Sequence, residues 1–227
     1  MSASGSATRE LASVPDLEFE VEDADVLRYA AAPTLVFRLR IGALGGEAIR
    51  SLALTTQIRI AVTRRSYDEA TQGRLVELFG EPSRWSQTLR SLLWTHTTLF
   101  VPAFTGSTVV EMPLACTYDF DVAATKYFHA LGDGEVPLEF LFSGTVFYAT
   151  GQGLQTARIP WDKEAQFRLP VRRWKEMMDH YFPGTAWLRL RTDTFDRLRA
   201  YKAERALASW EDAIEALLAA DAAGGGE

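Results

Sequence analysis

One cysteine and three histidines are all the soft or imidazole ligands that 227 residues contain. Cys116 alone cannot close an internal disulfide, which excludes a stapled secreted scaffold. His96, His129 and His180 are widely separated, and no H-x-H, HExxH or CxxC spacing occurs, so no metal centre is expected. No basic surplus exists either. Lys and Arg total 24 against 30 Asp and Glu, a net charge of -6. A nucleic-acid surface needs clustered cations that displace phosphate counterions, and the short runs at Thr63–Arg65 and Val171–Lys175 do not supply one.

Long apolar runs are missing as well. None approaches the roughly 20 residues that span a bilayer, and the first residues, MSASGSATRELASVPD, lack the basic-then-apolar order of a signal peptide. The expectation is a cytoplasmic protein with neither membrane nor nucleic-acid contacts. Glycine-rich stretches, GALGG and GQG, fall in turns between strands and do not lead into helices, so no phosphate cradle and no nucleotide cofactor is expected.

What is present is a core. Hydrophobic residues make up 47% and aromatic residues 11%, enough to exclude global disorder. Residues 1–14 and 221–227 read as tails. Leu17–Asp23 and Thr34–Ile41 alternate apolar and polar side chains, the period-2 mark of half-buried strands. Leu52, Leu54, Ile58 and Ile60 repeat the pattern after Gly45-Gly46, which predicts a hairpin with the strand before. A helical insertion is expected over about 66–93. Ser66 and Glu69 would open it as a capping box, and a second short helix, capped by Ser83, would carry Trp85, Leu89, Leu92 and Leu93.

The stretch Leu92–Phe120 holds His96 and Cys116 and so invites a reading as a reactive centre. Strands account for it better. From Val110 to Val122 every second residue is apolar or nearly so, which puts Cys116 on the core face as a small hydrophobe. Pro113 donates no ladder hydrogen bond, so its strand must be an edge, or bulged, or broken. Val136–Trp161 reads as another hairpin, with Gly144 at a bulge. Beyond it, Pro170 opens a helix with Val171, Trp174, Met178 and Tyr181 on one stripe, stopped by Pro183-Gly184. Asp193 and the Ser209/Asp212 pair mark two more helix starts.

The fold expected is mainly β with α: an antiparallel β-sandwich of immunoglobulin or jelly-roll type over 15–160, with a helical C-terminal region over 161–220 packed on it. Catalytic residues are not identified. A nucleophilic cysteine needs exposure, a lowered pKa and a nearby base, which a core position denies. The candidate binding residues are Asp119 and Asp121, an i, i+2 carboxylate pair on one strand face; His96 and His129 beside them; Tyr127 and Phe128, read as an exposed aromatic cluster by the Asp133-Gly134 turn; and Trp161 at a strand end. Aromatics at element ends can anchor partners or cement packing.

Four strings, Leu92–Asp121, Lys126–Tyr148, Ile159–Leu190 and Thr194–Leu218, resemble a bacterial family catalogued as a domain of unknown function. The resemblance runs from about Leu17 to Leu218. Members of that family look like companions of nickel-iron hydrogenase genes in high-GC bacteria, which implies an accessory or assembly role and brings no catalytic residues with it. The functional expectation is therefore a non-catalytic, cytosolic protein-binding module with a protein partner and no cofactor, homo-oligomerisation being left open. The alternative is a small-molecule-binding protein or enzyme with a pocket between sandwich and helical tail.

Overall fold

A computed structural model describes residues 14–116, 122–151, 153–184 and 190–224. The chain divides into two compact units, Met1–Gly184 and Thr185–Glu227. Among the described residues, the first holds nine strands in two antiparallel sheets. β1 (Leu17–Val26), β2 (Thr34–Ala43) and β6 (Ser107–Ala115) form one in the order β1-β2-β6. The larger sheet runs β4-β3-β7-β8, from β4 (Leu92–Val101), β3 (Ala48–Ile60), β7 (Glu135–Thr150) and β8 (Gly153–Arg158). The two-residue β5 (Phe104–Thr105) also pairs with β3, and β9 (Glu164–Pro170) with β7.

The alternation in the sequence decides how these sheets meet. Leu35, Phe37, Leu39 and Ile41 of β2 are fully buried, as are Leu52, Leu54, Ile58 and Ile60 of β3. They project from the facing sides of the two sheets. Aromatic rings bridge the layers: Phe19 stacks on Phe142 at 4.2 Å, and Phe37 meets Phe140 edge-on at 5.3 Å. The outer side of the small sheet is charged, with Arg38 and Arg40 of β2 paired to Glu20 and Glu22 of β1. The architecture is an open antiparallel β-sandwich with helical additions.

Several local expectations are corrected. β2 and β3 do not form a hairpin, because the Gly45-Gly46 turn carries the chain from one sheet to the other. An alternating strand looks the same in sequence whichever sheet it joins. β4 and β6, the two long strands of the Leu92–Phe120 stretch, likewise belong to different sheets. Leu92 and Leu93 open β4 and are not helical; the preceding helix α2 is only Trp85–Thr88. The cap of α1 (Glu69–Phe79) is Asp68, whose carboxylate accepts from Thr71 N–H at 2.7 Å, in place of Ser66. β6 ends at Ala115, and Val122 begins helix α3 (Val122–Ala130), so the strand does not run through to Val122.

Pro113 does sit on an edge strand, since β6 pairs only with β2 among the described residues. β7 and β8 form the expected hairpin. Gly144 lies where β7 changes partner, from β9 over Glu135–Leu141 to β8 over Thr145–Thr150. Its φ of 138° lies outside the range of side-chain-bearing residues, and a methyl group there would run into the Ala53 carbonyl oxygen. β9 has no counterpart in the sequence reading.

Helix α4 (Val171–Tyr181) belongs to the first unit and packs on β1, β2 and β9 through buried Val171, Trp174 and Met177. Its last turn ties down the β1–β2 connection: the Tyr181 hydroxyl donates to Leu27 O at 2.6 Å and accepts from Ala30 N–H at 3.0 Å. The second unit holds α5 (Thr192–Glu204) and α6 (Trp210–Gly224). Ser209 and Asp212 close the expected capping box, each accepting the other's backbone N–H at 2.9 Å. Phe195 and Trp210 pack together in this unit at 5.2 Å.

Candidate functional site

Among the described residues, those singled out in the sequence do not converge. Asp119 and Asp121 lie outside the described residues. Tyr127 and Phe128 are fully buried, which overturns their reading as an exposed cluster. Their helix α3 turns both rings inward. Tyr127 packs against Phe79 and Tyr67, while Phe128 lies between Trp94 at 5.1 Å and Trp174 at 5.2 Å. The rings therefore join α1, α3, β4 and α4 in one core. Proximity to an Asp-Gly turn says that the chain reverses nearby, and nothing about which way the preceding helix faces.

Within that core the two phenols form a hydrogen-bonded chain. Tyr67 donates to Val62 O at 2.7 Å, so Tyr127 donates to Tyr67, with the oxygens 2.8 Å apart. Burial is the main reason that both titrate above the ordinary phenol value, and for Tyr67 the adjacent Tyr127 adds to the rise. The chain ends on a backbone carbonyl, so it holds packing in place. His129, one residue beyond Phe128, is exposed and sets its ring edge-on to Trp174 at 4.7 Å. Desolvation, and then the Lys175 ammonium, lower its pKa.

Cys116 follows β6 and is half-buried, not sealed in the core. It packs against core residues, and its thiol lies 3.5 Å from the Leu114 carbonyl. Trp161 is 93% exposed in the turn between β8 and β9. Nearby, where β1 runs past β9, is an open depression of about 380 Å³. Lys163 in its wall pairs with Asp16 at 2.6 Å, and Arg40 pairs with Glu20 and Glu22. Among the described residues, no group of three or more His, Cys, Asp or Glu is placed to hold a metal ion, and no helix is long and apolar enough to cross a membrane.

His96 leads to a different surface. It lies on β4, opposite Gln57 of β3, on the outer side of the large sheet. Among the described residues β4, ten residues long, pairs only with β3, and none of them pairs with its other side. Its sequence, LLWTHTTLFV, has no acidic residue, no Lys or Arg, and no proline. The other boundary strands are protected. β1 carries Glu18, Glu20, Glu22, Asp23 and Asp25; β6 carries Glu111 and Pro113; β9 carries Glu164 and Arg168; and β8 is short and ends on Arg158. Natural sheets block unwanted pairing with such features, and β4 lacks all of them except a register shift beside Trp94.

On its outer side β4 exposes Phe100 to 75% and Leu93 to 48%, with His96 and Thr98 between them. On its inner side Thr95, Thr97 and Leu99 are half-buried, and Leu99 packs against the core. Thr97 lies opposite Thr56 of β3, whose buried hydroxyl has no hydrogen-bond partner among the described residues. The sequence reading missed this edge because it placed Leu92 and Leu93 in a helix. The threonine-rich alternation from Thr95 to Val101 was the available signal.

No curated protein matches this chain. Solved structures that it resembles include a late embryogenesis abundant protein at 15% identity, covering 73% of this chain and 78% of that one, with a TM-score of 0.33. Another is the CARDB domain of a Pyrococcus furiosus protein, described in complex with di-metal ions, at 11% identity, 69% and 92% coverage, and a TM-score of 0.27. A third is β-glucosidase 3B of Thermotoga neapolitana, in complex with α-D-glucose, at 13% identity and a TM-score of 0.25; 68% of this chain matches 17% of that one. At such identities and scores they carry no argument about chemistry. A family model is decisive where these are not: it spans residues 14–225, and the chain belongs to the family of unknown function DUF6084.

Proposed function

We propose that this chain is a non-catalytic, cytosolic protein-binding module with an accessory or assembly role, and that β4 is where it docks. The observation that carries the reading is that edge, unpaired among the described residues: ten residues without a formal charge or a proline, with Phe100 and Leu93 exposed beside it. A strand added to such an edge gains main-chain hydrogen bonds over its length, while side chains at alternate positions supply selectivity. The exposed phenylalanine adds apolar area at small entropic cost. The resemblance to companions of nickel-iron hydrogenase genes makes hydrogenase components the partners to test first.

The test is affinity capture from the native host, comparing the unaltered chain with Thr98→Lys. Thr98 points to solvent, so lysine there leaves the core intact while placing a charge on the edge. Loss of a specific partner in the variant is expected. Equal recovery of every bound protein by both chains would overturn the reading.

A further inference from the structure

We propose that β4 pairs with β4 of a second copy of this chain, antiparallel and centred on Thr98, so that two large sheets join across a twofold axis. This rests on β4 being the docking edge and names its occupant. The register with β3 fixes which way each β4 side chain points. Thr97 and Leu99 lie opposite buried Thr56 and Leu54, so they face inward with Thr95 and Val101; His96, Thr98 and Phe100 face outward. The register shift beside Trp94 interrupts the strand, leaving Thr95–Val101 as its regular part. Thr98 is the middle of those seven residues.

Directly opposed residues in an antiparallel pair share a face of the sheet. Pairing about Thr98 meets that condition along the whole segment. Outward, Thr98 opposes Thr98 of the partner subunit, and His96 opposes Phe100 of the partner subunit. Inward, Thr95 opposes Val101 of the partner subunit, and Thr97 opposes Leu99 of the partner subunit. These are β-branched, aromatic and aliphatic combinations of the kind that stabilise cross-strand pairs, and none sets like charges together although each chain carries a net charge of -6. A slip of one residue would oppose outward His96 to inward Leu99. Centring on Thr97 would draw Trp94, where the register shifts, against Phe100.

The strand is thus complementary to itself, which an edge shaped for an unrelated segment has no reason to be. Phe100, the most exposed phenylalanine among the described residues, would be covered in the pair. Protection of the other boundary strands then has a consequence. With one open edge among the described residues of each chain, pairing closes on a twofold dimer and does not propagate into a fibre.

Light scattering over a range of concentrations should give the mass of two chains, and Thr98→Lys, which opposes two ammonium groups at the axis, should give one chain with an unchanged circular dichroism spectrum. In a Cys116→Ser background, Thr98→Cys should form an intermolecular disulfide under mild oxidation. His96→Cys alone should not, but mixed with Phe100→Cys it should. A monomer at every concentration, or a dimer that survives Thr98→Lys and gives no Thr98→Cys disulfide, would overturn the pairing. If the pairing fails while Thr98→Lys still abolishes capture of a host protein, the docking edge stands with a different occupant. If capture is also unaffected, both readings fall.

Discussion

Phe128 and Trp174 stack face to face, with ring centroids 5.2 Å apart and planes 9° from parallel. One ring comes from the short helix after β6 and the other from the helix after β9, so the contact joins segments more than forty residues apart in the chain. Both side chains are buried, which makes the pair an anchor of the first unit.

Trp174→Ala and Phe128→Ala should each cost about 3–5 kcal/mol, the range for emptying a large aromatic site in a packed core. Urea unfolding followed by tryptophan fluorescence for Phe128→Ala, and by circular dichroism for Trp174→Ala, checks this. A loss below about 1 kcal/mol, the level of an ordinary surface change, would contradict the packing described.

The phenol chain predicts weakness in alkali. Tyr67 and Tyr127 ionise in the unfolded chain near the ordinary value of 10.0, while burial raises both in the folded protein. A raised folded value means that the stability is fully present below the unfolded value of 10.0 and is lost as pH rises from there through the folded one. Unfolding free energy measured across that range should fall. Tyr67→Phe should weaken the protein at neutral pH by leaving the Tyr127 hydroxyl without its acceptor, and Tyr67→Phe with Tyr127→Phe should recover part of that loss.

At Thr56 the hydroxyl is buried without a partner among the described residues, between Thr97 of β4 and Phe142 of β7. Valine has the same shape without the unmet hydrogen-bonding group. Thr56→Val should therefore stabilise the protein by about 1 kcal/mol, read as a raised unfolding midpoint in urea.

Gly144→Ala should be among the most damaging single-methyl changes in the chain, because the Ala53 carbonyl occupies the space the methyl group needs and the positive φ opposes any Cβ. Gly46→Ala is the control. Its φ of 74° is also positive, but a Cβ there meets nothing within 4 Å. Thermal unfolding should rank Gly144→Ala well below Gly46→Ala in midpoint; an equal ranking would show that β7 is not held against β3 as described.

In the second unit, acid should loosen α6. The Asp212 carboxylate accepts from the Ser209 N–H and lies below the ordinary 3.8. A depressed folded value gives stability that is present above the unfolded value and is lost as pH falls through the folded one. Helical circular dichroism should decline as pH drops below about 4, and Asp212→Ala, which removes the titrating group, should lower the signal at pH 7 and flatten that decline.

The strands that face the core were readable because alternation has a single physical cause, a pleat with one wet and one dry side. Leu35–Ile41 and Leu138–Phe142 announce themselves in this way. Pro113 marked an edge because it lacks an N–H to give. β9 escaped because EAQFRLP is short and buries little beyond Ala165 and Leu169. The two leucines that open β4 satisfy a helical period and a strand period equally well. The core placement of Tyr127 and Phe128 was unreadable for another reason: helix α3 is nine residues long, and its inward face is chosen by Trp94, Phe79 and Trp174, which are distant in sequence.

By itself the sequence determined the β-rich class, the inward and outward faces of most strands and the cap of the last helix, since each depends on neighbours within a few residues. Only the tertiary structure decided which strands share a sheet, that the turn at Gly45-Gly46 crosses between layers, and that β4 pairs on one side alone among the described residues. Those outcomes depend on which distant strand occupies a given edge, and hydrogen bonding between main chains is blind to side-chain identity. The same blindness makes an uncharged edge such as Leu92–Val101 available to a partner.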